Sequence, residues 1–173
     1  PKSALLQPHT PFYYPEFTNE LNYECELVLR VCKNGKYINE RNASNYYNGI
    51  TVGIDFTARD LQNIAKEKGL PWEKAKAFDN SAAIGKFLDL TPDQKKANFT
   101  FKLLVNNQEM QRGNSADMVF KFDNLVAQIS NYFSLNIGDI IFTGTPAGVG
   151  ECVVGDELEA FLGNQSLLKL DIK

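Results

Sequence analysis

The stretch Tyr23 to Arg30, YECELVLR, constrains this chain more than any other. Glu24 and Glu26 take the even positions, and Cys25, Leu27, Leu29 and Val31 the odd ones, the two-residue alternation of a half-buried strand. Both carboxylates therefore leave one face, roughly 6 to 7 Å apart, close enough to converge on one ion. Like charges at that spacing repel unless a cation neutralises them or one takes up a proton. A divalent cation is the economical answer. The other reading is an exposed strand edge with two solvated glutamates.

The rest of the chain permits such a site without demanding it. With 173 residues, 43% apolar and 23% charged, it is one domain's worth and can bury a core without disulfide or metal staples. The net charge is −3 and the Lys and Arg are scattered, so there is no basic stripe for nucleic acid and no polybasic segment for a membrane surface. Small molecules and like subunits are the expected partners. Cys25, Cys32 and Cys152 are three in number and lack C-x-x-C spacing, which indicates neither a disulfide framework nor a zinc site; Cys25, on the apolar face, is expected in the core. No apolar run approaches a transmembrane length and no signal-peptide pattern is present, so the expected compartment is the cytoplasm. Pro1 is not an initiator residue, and an N-terminal piece is expected to precede it.

In chain order, residues 1 to 22, with Pro8, Pro11 and Pro15 among Phe12, Tyr13, Tyr14 and Phe17, form an irregular lead-in that its rings pack against the body. Lys33-Asn34-Gly35-Lys36 reads as a hairpin turn, with Tyr37 and Ile38 beginning a return strand. A helical patch from Arg41 to Tyr47 ends at Asn48-Gly49. The run ITVGIDFTARDLQ then passes from strand to helix, with Asp55 at the junction, Thr57 as N-cap and Asp60 as a weak capping-box partner. Leu61, Ile64 and Ala65 form its apolar stripe. Arg59 and Gln62 share another face that looks either back toward Asp55 or out to solvent, and Gly69 closes the helix.

Pro71-Trp72 opens a loop holding Lys74, Lys76 and Asp79, followed by a strand from Ile84 to Leu88 and a polar connection from Thr91 to Asn98. Phe99 to Val105 reads as a strand, turning at Asn106-Asn107 into a partner that reaches Met110. A helix spans Asp123 to Phe133. Strand Ile140 to Phe142 runs into Thr143-Gly144-Thr145-Pro146-Ala147-Gly148-Val149-Gly150, where glycines and hydroxyls suit an oxyanion or a tight turn. This is not a Walker loop, having no Gly-Lys-Ser/Thr ending. Strands near 157–162 and 167–172 finish the chain, and no internal repeat is found.

Taken together, YECELVLRV, GIDFTARDLQ, KGLPWEKAKAFD and GDIIFTGTPAGVG followed by GDELEA resemble the signature blocks of the fumarylacetoacetate hydrolase family, in the order and spacing of its acylpyruvate-hydrolase-like bacterial members. The resemblance spans nearly the whole chain and removes the solvated-surface readings. It implies an α+β fold of β-rich, mixed, rolled sheets of the family's C-terminal-domain type, a single catalytic domain over residues 1–173, and a homodimer. It also implies a magnesium-type ion on Glu24, Glu26 and Asp55. Three carboxylates without a metal-like His or Cys select a hard cation, Mg²⁺ with Mn²⁺ or Ca²⁺ as substitutes, over Zn²⁺.

By family position Lys76 faces the polarised carbonyl, Arg59 and Gln62 line the substrate face, and Thr145 donates to the substrate carboxylate or carbonyl. Lys74 remains a surface lysine. The implied activity is metal-dependent hydrolysis of the C–C bond of acylpyruvate-type 2-oxo acids, or decarboxylation of oxaloacetate-like acids, through an enolate stabilised by the ion. Isomerisation of hydroxymuconate-type diacids is the alternative, and a non-catalytic metal- and carboxylate-binding protein is the reading from another class. Such family members carry a His and a Glu upstream of the segment matching Pro1 to Ala4, thought to activate the hydrolytic water. The sole histidine, His9, does not match that position.

Overall fold

The computed structural model describes residues 1–173. Along the chain come strands β1 (Leu21–Tyr23), β2 (Cys25–Val31), β3 (Tyr47–Asp55) and β4 (Thr57–Ala58), then helices α1 (Arg59–Lys68) and α2 (Glu73–Lys76). Strands β5 (Ala82–Ile84), β6 (Leu88–Asp89), β7 (Thr100–Val105) and β8 (Gln108–Asn114) lead to helix α3 (Phe122–Tyr132). Strands β9 (Ile140–Phe142), β10 (Gly150–Glu151), β11 (Glu157–Leu162) and β12 (Gln165–Asp171) complete it.

Three sheets result: β5-β3-β2-β9 with β6 also on β3, β12-β11-β7-β8, and the small β10-β1-β4. Their ladders are antiparallel, and parallel pairing enters at the isolated bridges Leu5–Ala82 and Phe12–Ile172. The β-rich α+β architecture expected from the sequence is the one observed. The core lies between the two larger sheets, where Leu27, Leu29, Ile50, Val52 and Ile54 of one join Leu103, Leu158 and Ala160 of the other in one buried cluster. The lead-in is fixed to it: Phe12 stacks on Phe56 with ring centroids 4.0 Å apart, and its N–H donates to the Asp171 carbonyl at 2.9 Å.

Strand β2 differs from the half-buried strand its alternation predicts. Val28 is fully buried and Glu26 only 4% exposed, so both faces are covered. Phe142, paired opposite Val28, sends its ring into the space beside Gly53, where a Cβ would lie 2.8 Å from the ring. The Lys33–Lys36 hairpin does not form. Gly35 instead exchanges backbone hydrogen bonds with Leu135, and the Asn34 side chain accepts from the Ile137 N–H at 2.8 Å, so the Asn-Gly pair serves a long-range contact. There is no return strand at Tyr37; β2 pairs with β3. The helical patch is a 3₁₀ segment, Glu40–Asn45, and Asn48-Gly49 lies within β3 rather than ending a helix.

The expected strand at 84–88 divides into β5 and β6, because Gly85 passes so close to the Leu167 carbonyl that a Cβ would sit 2.7 Å from it. Strand β8 continues past Met110 to Asn114. The turn between β7 and β8 falls at Asn106-Asn107, both at positive φ, as the dipeptide predicts. Gly69 closes α1 in the left-handed conformation. At the other end of α1 the N-cap is Ala58, not Thr57: Thr57 pairs with Asn22 in β4 and is buried. Asp60 instead ties the helix start to the lead-in, accepting from Thr18 Oγ1 at 2.6 Å, the Asn19 N–H at 3.0 Å and the Leu61 N–H at 2.8 Å. Asp60→Ala is therefore expected to lower stability by about 1–2 kcal/mol, measured by urea unfolding, and an unchanged midpoint would remove Asp60 from that role.

Candidate functional site

The three acidic residues singled out in the sequence come together. Glu24 lies between β1 and β2, Glu26 on β2, and Asp55 at the end of the neighbouring β3. The backbone joins these segments directly, the Asp55 N–H donating to the Glu24 carbonyl at 2.9 Å. One oxygen from each of the three carboxylates lies within 4.8 Å of the others. That is an all-oxygen, partly enclosed donor set, the chemistry that suits a hard divalent cation, so the residues present fit such an ion.

Two cations flank the cluster. Lys76 Nζ donates to Glu24 Oε2 at 2.8 Å, Asp55 Oδ2 at 2.6 Å and Thr57 Oγ1 at 2.7 Å, which uses its three protons. Arg59 Nη2 donates to Glu24 Oε1 at 2.6 Å and Nη1 to the Gln62 side-chain amide oxygen Oε1, leaving it donors to spare. Glu26 is held differently, its Oε2 accepting from the Gly144 N–H at 2.6 Å. Lys76 belongs to the short helix α2 rather than to an open loop. The Ser81 hydroxyl fixes its backbone by donating to its carbonyl at 2.9 Å.

The electrostatics follow from burial and these contacts. Burial pushes Glu26 up to about 7, opposed by the Gly144 hydrogen bond and by Lys76, and reinforced by the Asp55 and Glu24 charges. Asp55 is likewise raised, first by burial, with Lys76 pulling the other way. For Glu24 burial also works to raise the carboxyl, but hydrogen bonds from Lys76 and Arg59 outweigh it and hold it below the ordinary range. Lys76 is raised although burial opposes this, because Asp55 and Glu24 stabilise its charge. The cluster sets three carboxyls against two cations, and Glu26, the most buried of the three, is the one pushed furthest up.

Of the remaining residues picked out in the sequence, Gln62 is 3% exposed and accepts from Arg59 through its side-chain oxygen. It replaces Ile64 on the buried side of α1: Ile64 is 45% exposed, and the buried positions are Gln62 and Ala65. Thr145 is tied to the β2 backbone and to Gln111. Its hydroxyl donates to the Cys25 carbonyl at 2.8 Å and accepts from Gln111 Nε2 at 2.9 Å. Lys74 and His9 are both exposed, and neither bonds to the cluster. Thr57 and Gln111 escaped sequence reasoning: Thr57 reads as a helix cap, and a lone glutamine inside a strand carries no spacing signal. Asp55, Lys76, Ser81 and Phe142 line a cavity of about 220 Å³ at the cluster. A larger one, about 440 Å³, runs along the Thr143 to Ala147 loop.

Residues 1–173 match the family model described as fumarylacetoacetate (FAA) hydrolase C-terminal. An oxaloacetate tautomerase of Escherichia coli K12 is 37% identical over 170 residues, 96% of this chain and 77% of the relative. The crystal structure of a Pseudomonas aeruginosa fumarylpyruvate hydrolase in complex with Mn²⁺ and pyruvate superposes with a TM-score of 0.89 at 33% identity, over 94% of this chain and 70% of that one. A 5-carboxymethyl-2-hydroxymuconate delta-isomerase from Mycobacterium smegmatis gives 0.87 at 28% identity, over 99% and 66%. With a family match along its whole length and a relative of which it spans 77% at 37% identity, the chain belongs to the fumarylacetoacetate hydrolase family.

Proposed function

We propose that this chain binds a divalent cation at Glu24, Glu26 and Asp55 and converts small 2-oxo acids through their enol or enolate forms. The observation that carries the reading is the convergence of three carboxylates beside Lys76 and Arg59. When bound, the ion supplies Lewis-acid polarisation of the oxo acid's oxygens. The chain's own residues supply the rest. Arg59, with free donors, takes a carboxylate or carbonyl oxygen of the substrate, and Gln62 keeps its guanidinium in plane. Lys76 contributes a fixed positive charge where negative charge develops on oxygen. Phe142 and the buried wall around Glu26 keep water from screening that charge.

C–C bond hydrolysis of an acylpyruvate, or decarboxylation of an oxaloacetate-like acid, is the reaction proposed first; the fumarylpyruvate hydrolase relative supports it. A second reading, proton transfer within oxaloacetate or a hydroxymuconate-type diacid, is favoured by the tautomerase and isomerase relatives. Mg²⁺ as the resident ion, a homodimer and a cytoplasmic setting belong to the same proposal. The test is a panel of acetylpyruvate, fumarylpyruvate, oxaloacetate and a hydroxymuconate diacid with Mg²⁺ or Mn²⁺. Pyruvate release with a second acid marks hydrolysis, and CO₂ release marks decarboxylation. Loss of enol absorbance without bond cleavage marks proton transfer. No turnover of any member, with the ion bound, would leave the non-catalytic binding protein.

The Glu26 carboxyl gives this proposal a pH signature. The ion binds the ionised form, so raising pH through about 7 strengthens binding and lowering it weakens binding. Below that value Mn²⁺ affinity is expected to fall by up to about tenfold per pH unit, with proton release on binding. Titration calorimetry in buffers of different ionisation enthalpy measures both, and an affinity flat from pH 5.5 to about 8 would remove Glu26 from the ligand set.

A further inference from the structure

Strand β2 loses its neighbour β9 after Phe142, and its edge from Cys25 to Leu27 needs other partners for its backbone groups. Side chains finish the pairing. The Thr143 N–H and hydroxyl both donate to the Leu27 carbonyl, at 3.2 and 2.9 Å. At Cys25 the Thr145 hydroxyl donates to the carbonyl at 2.8 Å, and Gln111 Oε1 accepts from the N–H at 2.9 Å. The other end of that amide, Nε2, donates to Thr145 Oγ1 at 2.9 Å and to the Pro146 carbonyl at 3.2 Å.

Donor and acceptor chemistry fixes the sense of this ring. The Cys25 N–H can only donate, so the amide oxygen faces it and the nitrogen faces the loop. Thr145 Oγ1 receives that nitrogen's hydrogen, so its own proton points at the Cys25 carbonyl. Gln111 is 1% exposed, and loss of these bonds would leave buried groups unpaired. The loop is pressed onto β8 at the residue before Gln111: at Gly148 (φ +97°) an added Cβ would lie 2.4 Å from the Met110 carbonyl oxygen.

We propose that Gln111 is a positioning residue, joining β8 of one sheet to β2 of the other and holding the 143–150 loop so that the Gly144 N–H stays on Glu26 and Thr145 can accept from a ligand but not donate to one. The inference rests on the function proposed above for the Glu24, Glu26 and Asp55 site. Its reach is across sheets: a residue that touches neither the carboxylates nor Lys76 sets the geometry of both Glu26 and Thr145.

The test compares the parent protein with Gln111→Met, which keeps the bulk and removes the amide bonds, and Gln111→Glu, which keeps an acceptor for Cys25 but removes the amide donor. Thr145→Val and the Gln111→Met/Thr145→Val double variant complete the set. Both Gln111 variants are expected to weaken Mn²⁺ binding and to lower kcat/KM for acetylpyruvate or oxaloacetate, each by about 10- to 100-fold. Because the two residues act as one unit, the double variant should lose no more than about twofold beyond the worse single one. Folded variants with Mn²⁺ affinity and kinetics within about twofold of the parent, or losses that multiply in the double variant, would overturn the inference. If Gln111→Met does not fold, Gln111→Glu carries the same comparison. A parent enzyme that turns over no 2-oxo acid defeats the proposed function, while the Mn²⁺ titration still decides the role of Gln111.

Discussion

Asp55→Ala is expected to weaken Mn²⁺ binding by on the order of 10³-fold, about 4 kcal/mol, because affinity for hard cations tracks the number of charged oxygen ligands. Asp55 is one of three carboxylates with ligand oxygens within 4.8 Å, and the set offers no nitrogen or sulfur ligand to take its place. The fold should survive. Burial raises the Asp55 carboxyl above its ordinary range, the Lys76 charge and hydrogen bond only partly opposing it. A carboxyl raised in the folded state contributes stability below its unfolded value that is lost as pH rises, so at neutral pH its ionised form opposes folding. Lys76 keeps Glu24 and Thr57 as partners after the substitution. Calorimetric titration with Mn²⁺ alongside thermal unfolding checks both halves. Unchanged Mn²⁺ affinity removes Asp55 from the site, and loss of the cooperative transition makes it a structural residue.

The convergence of the three carboxylates was legible in part from local pattern, and the family resemblance, not the pattern, joined Asp55 to the pair. Glu24 and Glu26 sit two apart, and two-residue spacing puts both on one face whatever the sheet around them. Asp55 stands where a β-rich run changes to a helical one. What the pattern could not supply was how each side chain is spent. Lys76 reads as a cation aimed at a ligand, whereas its three protons go to Glu24, Asp55 and Thr57; that outcome depends on packing between α2 and β4, far apart in the chain from Glu24.

The misread turn at Lys33–Lys36 has the same origin. Asn-Gly favours a tight reversal locally, but the long apolar run of β3 offers β2 a better partner than Tyr37-Ile38 could, and Gly35 is drawn to Leu135. Glu26 shows the limit of alternation itself. A two-residue period tells which side chains share a face and not whether that face is wet. Here Glu26 is buried, on a face where the Phe142 ring fills the space beside its pairing partner Gly53, and that burial moves its carboxyl toward neutrality.

Lys76→Met is expected to lower kcat by about 10²-fold or more, because it removes the fixed positive charge beside the oxygen on which negative charge develops. KM should change less, since the charge matters most when negative charge has developed on the substrate oxygen. The same substitution has a second effect on the metal-free protein. The ammonium is the counter-ion of Glu24 and Asp55, at 2.8 and 2.6 Å, with the three side chains only 12–23% exposed. Its removal leaves two enclosed carboxylates facing each other with Arg59 alone to balance them. Breaking a buried pair costs about 3–5 kcal/mol; partial solvent access reduces this to about 2–3 kcal/mol here. Mn²⁺ should then bind the variant more tightly than the parent, because no ammonium competes for Glu24 Oε2 and Asp55 Oδ2, and binding should restore the lost stability. Lys74→Met is the control, altering an exposed lysine of the same helix. Thermal unfolding with and without Mn²⁺, together with kcat and KM, separates the effects. Equal losses in the two lysine variants, or a rise in KM alone, would make Lys76 a general binding residue; a stability deficit that Mn²⁺ fails to restore would show that ammonium and ion do not share those oxygens.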